Sequence, residues 1–440
     1  MTPPGVMGPA TVTPPPSVPL SFLGAAAAGL FGFGFVAWFA ADKLVTVPNH
    51  PGAVAAVHMA VLAFLTLAVL GALHQFGPVV SSRALRSVAA GRFAMVTMLI
   101  AAWLLPNGFA HGPEWMILVG GLSGAASALT VAWNLSGPLS SRSGGVPVIG
   151  LRMSVAYLVL TVGFGVVYVL NRQSGWFPLL PNRVLAHAHL GLLGWLGLTY
   201  VSVAEKLWPM FLLSHRPKAR SGLIAVSAIG AGALPLALGL LLATPWLASI
   251  GGVLVVVGLG AHLVSLVSSV RHRRRPLELL HAFLAASALF LVIGVGFGIV
   301  AAFADVDTPT RMILVAAEVT GLIAWLSLAV AGHSHKIVPF IVYTRMRARG
   351  VQYHRSGRPL LFGDLYRKAP AWATFGMLTV GFSLVLAGIL AGSAAVAAAG
   401  GFLVGIAGVS VGLNLSIGPR IAPIAEPERQ EPELTRSGNE

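Results

Sequence analysis

The sequence predicts an all-α, polytopic membrane protein, a bundle of twelve spanning helices. Composition is the first reason. Of 440 residues, 56% are hydrophobic and only 9% are charged, and the mean hydropathy is +0.84, which leaves too little polar surface to cover a water-soluble globule. The second reason is periodic: apolar runs long enough to cross about 30 Å of hydrocarbon recur at roughly 20–41, 53–78, 90–107, 114–136, 148–170, 184–212, 223–243, 246–270, 277–304, 311–338, 371–390 and 395–416. The third is charge, because Lys and Arg alternate between rich and poor connections.

With the N-terminus inside, the inner connections carry Arg83, Arg86 and Arg92, then Arg142 and Arg152, then Arg216, Lys218 and Arg220, then Arg271, Arg273, Arg274 and Arg275. The longest, 339–370, adds Arg345, Arg347, Arg349, Arg355, Arg358, Arg367 and Lys368, while outer connections hold only Lys43, Arg172, Arg183 and Arg311. Cytoplasmic loops collect such residues, so both termini are expected in the cytoplasm of a bacterium, with the chain in its plasma membrane. The net charge of +15 expresses this bias. It is spread over several loops that also face anionic lipid, so a nucleic-acid surface is the weaker reading, and the lipid bilayer rather than nucleic acid is the expected partner.

Residues 1–19 are Pro-rich without a single Lys or Arg, so they lack the basic start of a secretory signal and read as a disordered tail. Residues 420–440 are polar and Glu-rich and read as a second, cytoplasmic tail. Between them, 20–419 forms one integral domain. The absence of cysteine removes disulfides, iron–sulfur clusters, covalently attached heme and thiolate-bridged copper. Any metal or heme is left to His, Met, Tyr or carboxylate.

Histidines carry the chemistry. His58 falls near the outer start of the second helix, and His187 and His189 near the outer start of the sixth. A single intramembrane His is equally well explained by a hydrogen bond to a carbonyl, but three in one leaflet favour a metal or heme. His187 and His189 project about 200° apart on a helix, which suits two cofactors on opposite flanks better than one shared ion. His74 lies about 24 Å further along the second helix than His58 and joins a looser inner group with His281 and His333. His262 and His335 share that side. Glu318, about two turns into the tenth helix, is read either as a proton-carrying residue or as a neutral, hydrogen-bonded structural carboxyl.

The stretch His187-Ala-His189-Leu-Gly-Leu-Leu-Gly-Trp195, closing on Trp208-Pro209, resembles the His-x-His helix of subunit I in the heme-copper oxidases, most closely the C-type oxidases. His58 followed by Gly71-Ala-Leu-His74-Gln75-Phe-Gly-Pro78 is similar to that family's second helix. The resemblance extends to NnrS-like membrane heme proteins. It implies twelve helices in three four-helix units around a pseudo-threefold axis, with helices two, six and ten related. It also implies a low-spin b-type heme between His58 and His189, and places His187 as ligand of a second, high-spin heme. The chain departs from the family in carrying His-x-His on the sixth helix and in lacking a His-His pair, the Glu- and Tyr-bearing segment and the cross-linked tyrosine. The standard copper centre is therefore expected to be absent.

The expected function is a heme-binding membrane protein, an oxidoreductase engaged in electron transfer or in chemistry of a small gas such as nitric oxide or oxygen, with quinol or a cytochrome as electron donor. Two alternatives stay open: a metal or proton-coupled transporter, although the 11 methionines form no ladder for soft copper, and a cofactor-free assembly subunit.

Overall fold

In hydrocarbon every backbone N–H and C=O must be satisfied within the chain, and the apolar runs meet that demand as helices. The computed structural model describes residues 13–47, 49–142, 144–215 and 220–421. Among them twelve helices are long and apolar enough to span a membrane: α1 (Ser17–Phe39), α2 (Pro51–Ser81), α3 (Val88–His111), α4 (Glu114–Leu139), α5 (Gly145–Ser174), α6 (Arg183–Leu212), α7 (Ser221–Leu241), α8 (Pro245–Arg271), α9 (Leu279–Phe303), α10 (Thr308–Ala348), α11 (Lys368–Ala391) and α12 (Ala394–Ser416). The protein is thus an all-α multi-pass membrane protein. The face bearing both ends of the span set is called the terminal face below, and the other the opposite face.

Each expected span is present, with shifted ends. The first begins at Ser17 rather than at 20, because the run Pro14–Pro16 ends just before it and proline is tolerated at a helix start. The larger shift is in α10, which continues ten residues past the expected end at 338. Pro339 lies inside it, and the following Tyr, Arg and Met residues sustain the helix until Gly350 adopts φ +85°. Its 41 residues reach about 60 Å, so its last turns project beyond the terminal face. The connection after it is closed by Arg358, whose guanidinium pairs with Asp364 at 2.7 Å and holds that carboxyl below its ordinary range. The tail expected at 1–19 lies outside the described residues up to 12, and the tail expected at 420–440 lies outside them from 422. Arg216 and Lys218 of the third inner connection also lie outside the described residues.

Three helices form the centre. The most apolar windows of α2, α6 and α10 are 72%, 72% and 61% buried, against at most 50% for the other nine. Antiparallel neighbours α3/α4, α7/α8 and α11/α12 pack around them, α9 packs against α10, and α1 against α12 closes the ring. Small residues set that closure: at Gly34 an added methyl would overlap the backbone of Gly405 and Gly401 on α12.

The centre repeats itself. His58 on α2 is followed by an eight-residue π-helical segment, Met59–Thr66, then by a 15-residue α-helix containing Pro78 and ending on Ser82 at φ 55°. His189 on α6 is followed by an eight-residue π-helical segment, Leu190–Gly197, then by a 15-residue α-helix containing Pro209 and ending on Leu213 at φ 47°. In α10 the same pattern survives nearer the terminal face. His335 precedes Pro339 by four residues, as His74 precedes Pro78, and Phe283 stacks on His335 as Phe22 stacks on His74, at 5.8 and 5.1 Å.

The α1/α12 closure predicts that Gly34→Leu lowers stability by about 1–3 kcal/mol through overpacking. Gly163→Ala, where nothing lies within 4 Å of the added methyl, should be neutral or slightly stabilising. Thermal unfolding of the purified protein in detergent measures both.

Candidate functional site

On the opposite face the start of α2 and the start of α6 stand beside each other, and the histidines there have sharply different surroundings. His58 donates its Nδ1–H to the Val54 carbonyl at 2.8 Å. A carbonyl oxygen only accepts, so the neutral ring must keep Nε2 as a bare lone pair. His187 packs against His58 with ring centres 6.2 Å apart and planes within 18°. Phe109 flanks His58 and Phe164 flanks His187, at 5.2 and 5.6 Å. Four rings from α3, α2, α6 and α5 therefore form one row.

Both imidazoles line a cavity of about 830 Å³, within the range of small-molecule and cofactor sites. Its walls are mainly apolar, and Arg172, Arg183, Asn49 and Asn171 join them. Two buried polar atoms on this wall have no hydrogen-bond partner, His187 Nδ1 and Thr161 Oγ1. Buried polar groups are nearly always paired, so a wall with two such atoms is suited to a polar ligand. Gly165 on α5 supplies room for His187: a methyl there would approach His187 Cε1 to 3.3 Å.

His189 points elsewhere, as two residues' separation on a helix requires. Its Nδ1–H is donated to the Leu185 carbonyl at 2.9 Å, and its Nε2 lies 3.1 Å from Glu318 Oε1 on α10. With Nδ1 committed as donor, that contact must contain one proton between Nε2 and the carboxyl, on one partner or the other. The side chains are only 7% and 12% exposed. The structure thus sets His187, rather than His189, against His58, and gives Glu318 a specific partner.

Of the group expected near the terminal face, His74 has surroundings of its own, while His281 and His333 lie within electrostatic reach of each other. His74 lies against Phe22 and Gly91, with Asn134 Nδ2 at 3.5 Å from its Nε2. His333 instead meets Tyr200 and Phe211, at 6.1 and 6.3 Å. His281 lies against Trp208 and accepts from the Glu278 backbone N–H at 2.8 Å, helping to cap α9. Glu278 is also paired with Lys336. Among the described residues no three His, Asp or Glu side chains converge as a metal-ion site. His335 is buried with Nδ1–H on the Ala331 carbonyl at 2.8 Å.

Sequence reasoning did not select Arg172, Arg183, Phe164 or Gly165. The two arginines were legible as outer-loop cations, but nothing in their spacing announced that they border the cavity of His58 and His187. No protein-family model matches the chain, and no curated protein matches it.

The His189–Glu318 contact predicts that Glu318→Ala destabilises the protein by about 1–3 kcal/mol, the cost of leaving a buried nitrogen unpaired. Glu318→Gln, whose amide N–H can donate to Nε2, should recover most of that loss. Thermal unfolding of the two variants side by side checks the order.

Proposed function

We propose that this membrane protein binds heme in the cavity on its opposite face, where His58 and His187 would hold the iron of one b-type heme, and that it works in electron transfer. The observation that carries the reading is the pair itself, two near-parallel imidazoles 6.2 Å apart on a mainly apolar cavity of about 830 Å³. Imidazole nitrogens are common ligands of heme iron, and both rings line the same cavity. The donor set fits as well: His58 presents a bare Nε2 fixed by its bond to Val54, the kind of outer-shell bond that sets a metal-binding imidazole's tautomer.

Heme would supply one-electron chemistry and an iron able to take a diatomic ligand. The chain's own residues do the rest. Apolar side chains of α2 to α6 would keep water from the iron, Phe109 and Phe164 flank the two imidazoles, and Arg183 would offer a cation to the carboxylates of the porphyrin, Arg172 being paired with Glu114 at 2.6 Å. Two protein ligands on one iron favour electron transfer over nitric oxide or oxygen turnover, which needs an open position. Resemblance of the two histidine-bearing helices to oxidase subunit I supports the same cofactor, although there the second histidine of His-x-His would pair with His58. The arginine-rich terminal face is assigned to the bacterial cytoplasm by the distribution of Lys and Arg. This puts the cavity on the outer side, within reach of a quinol or a soluble cytochrome.

The absorption spectrum of the purified protein tests this directly. A Soret band with sharp reduced bands is expected, lost in His58→Ala and in His187→Ala and retained in His189→Ala. A flat visible spectrum in the wild type sinks the cofactor. Loss in His189→Ala with retention in His187→Ala would keep heme and replace the ligand pair.

A further inference from the structure

The cavity is larger than the part that His58 and His187 border. It continues past α2 and α6 to a second wall made by α1, α10 and α11, where Phe33, Val319, Ile323, Phe382, Val385 and Ile389 line it. The two ends of one space therefore differ in chemistry. The end at α2 to α6 carries imidazoles, arginines and asparagines. The end at α1, α10 and α11 carries Thr320 as its hydroxyl, and that hydroxyl is already donated to the Ala316 carbonyl at 2.8 Å.

Water is a poor occupant of such an arm, since an ordered water needs two to four polar partners. A void is a poor one too, because the lining side chains forfeit their dispersion contacts. At the depth of a spanning segment the abundant alternative is hydrocarbon. We propose that the arm between α1, α10 and α11 is a binding site for one extended hydrocarbon chain, the acyl chain of a membrane lipid or an isoprenoid chain. The polar end of that molecule lies toward Asn49 at the outer part of the cavity. The site stands on the lining of the cavity and not on heme, so either can fail without the other.

The experiment uses the full-length protein purified in detergent and carried through repeated detergent exchange. It is then extracted with organic solvent, and chain-bearing molecules per protein are counted by mass spectrometry. About one molecule per protein is expected in the wild type, and its fragmentation distinguishes an acyl from an isoprenoid source. Val319→Trp and Val385→Trp, which fill the arm from facing helices, should reduce retention several-fold. Val264→Trp, at a position on α8 that is 61% exposed, should leave it unchanged. Wild-type protein that retains no such molecule overturns the proposal whether or not the variants fold. Equal retention in the wild type and in both folded filling variants overturns it as well.

Discussion

The arrangement of this protein depends on what an imidazole does with its Nδ1–H when there is no water to take it. In His58, His74, His189, His333 and His335 the answer is the same, a bond of 2.8 to 2.9 Å to the carbonyl four residues earlier on the same helix. The bond fixes the ring against its own helix and leaves a neutral histidine with one functional atom, a bare Nε2. What that atom meets then decides what the residue does. His58 brings its ring to a cavity, His189 meets a carboxyl, and His74 has an asparagine amide at 3.5 Å. His187 lacks the bond, its Nδ1 having no partner, and it is placed by stacking between Phe164 and His58 instead.

The internal repetition separates structural histidines from the candidate site. His74 and His335 occupy the same place relative to a following proline and to a stacked phenylalanine, which is what a packing role repeated by the fold looks like. His58 and His189 also correspond, each at the start of an identical succession of π and α segments. His187 has no such counterpart, for the residue two before His58 is Ala56. Glu318 on α10 faces His189 where neither α2 nor α6 carries a carboxylate beside its π segment. The unrepeated His187 and Glu318 thus stand beside the repeated His58 and His189.

Most of the architecture was legible because hydrocarbon imposes one rule on every span. Apolar length and the alternation of arginines were enough to place all twelve helices to within a few residues, apart from the overrun of α10. The opposite directions of His187 and His189 also followed from helix geometry. The pairing did not. Spacing says that two side chains diverge, but which of them turns toward α2 depends on how α6 is rotated against its neighbours. The π segments Met59–Thr66 and Leu190–Gly197, in which i→i+5 bonding widens the turn, are likewise not announced by the residue types. Arg172 and Arg183 were visible as charges, but their place at the cavity follows from tertiary packing alone.

Glycine accounts for both the closed and the open parts of the bundle. Where it faces backbone, as Gly34 faces Gly405, it lets α1 and α12 approach until no side chain fits between them. Where it faces a functional side chain, the same missing methyl becomes space: Gly165 on α5 leaves room for His187, and Gly191 on α6 stands on the cavity wall near Thr161. The two π segments meet across this space, tied by Trp195 Nε1–H donating to Thr66 Oγ1 at 3.3 Å, and both of those residues line the cavity. The helices that carry His58 and His187 are thus held together by a polar bond at the cavity wall and kept apart above it by their own rings. A chamber results in the middle of an otherwise close-packed set of spans.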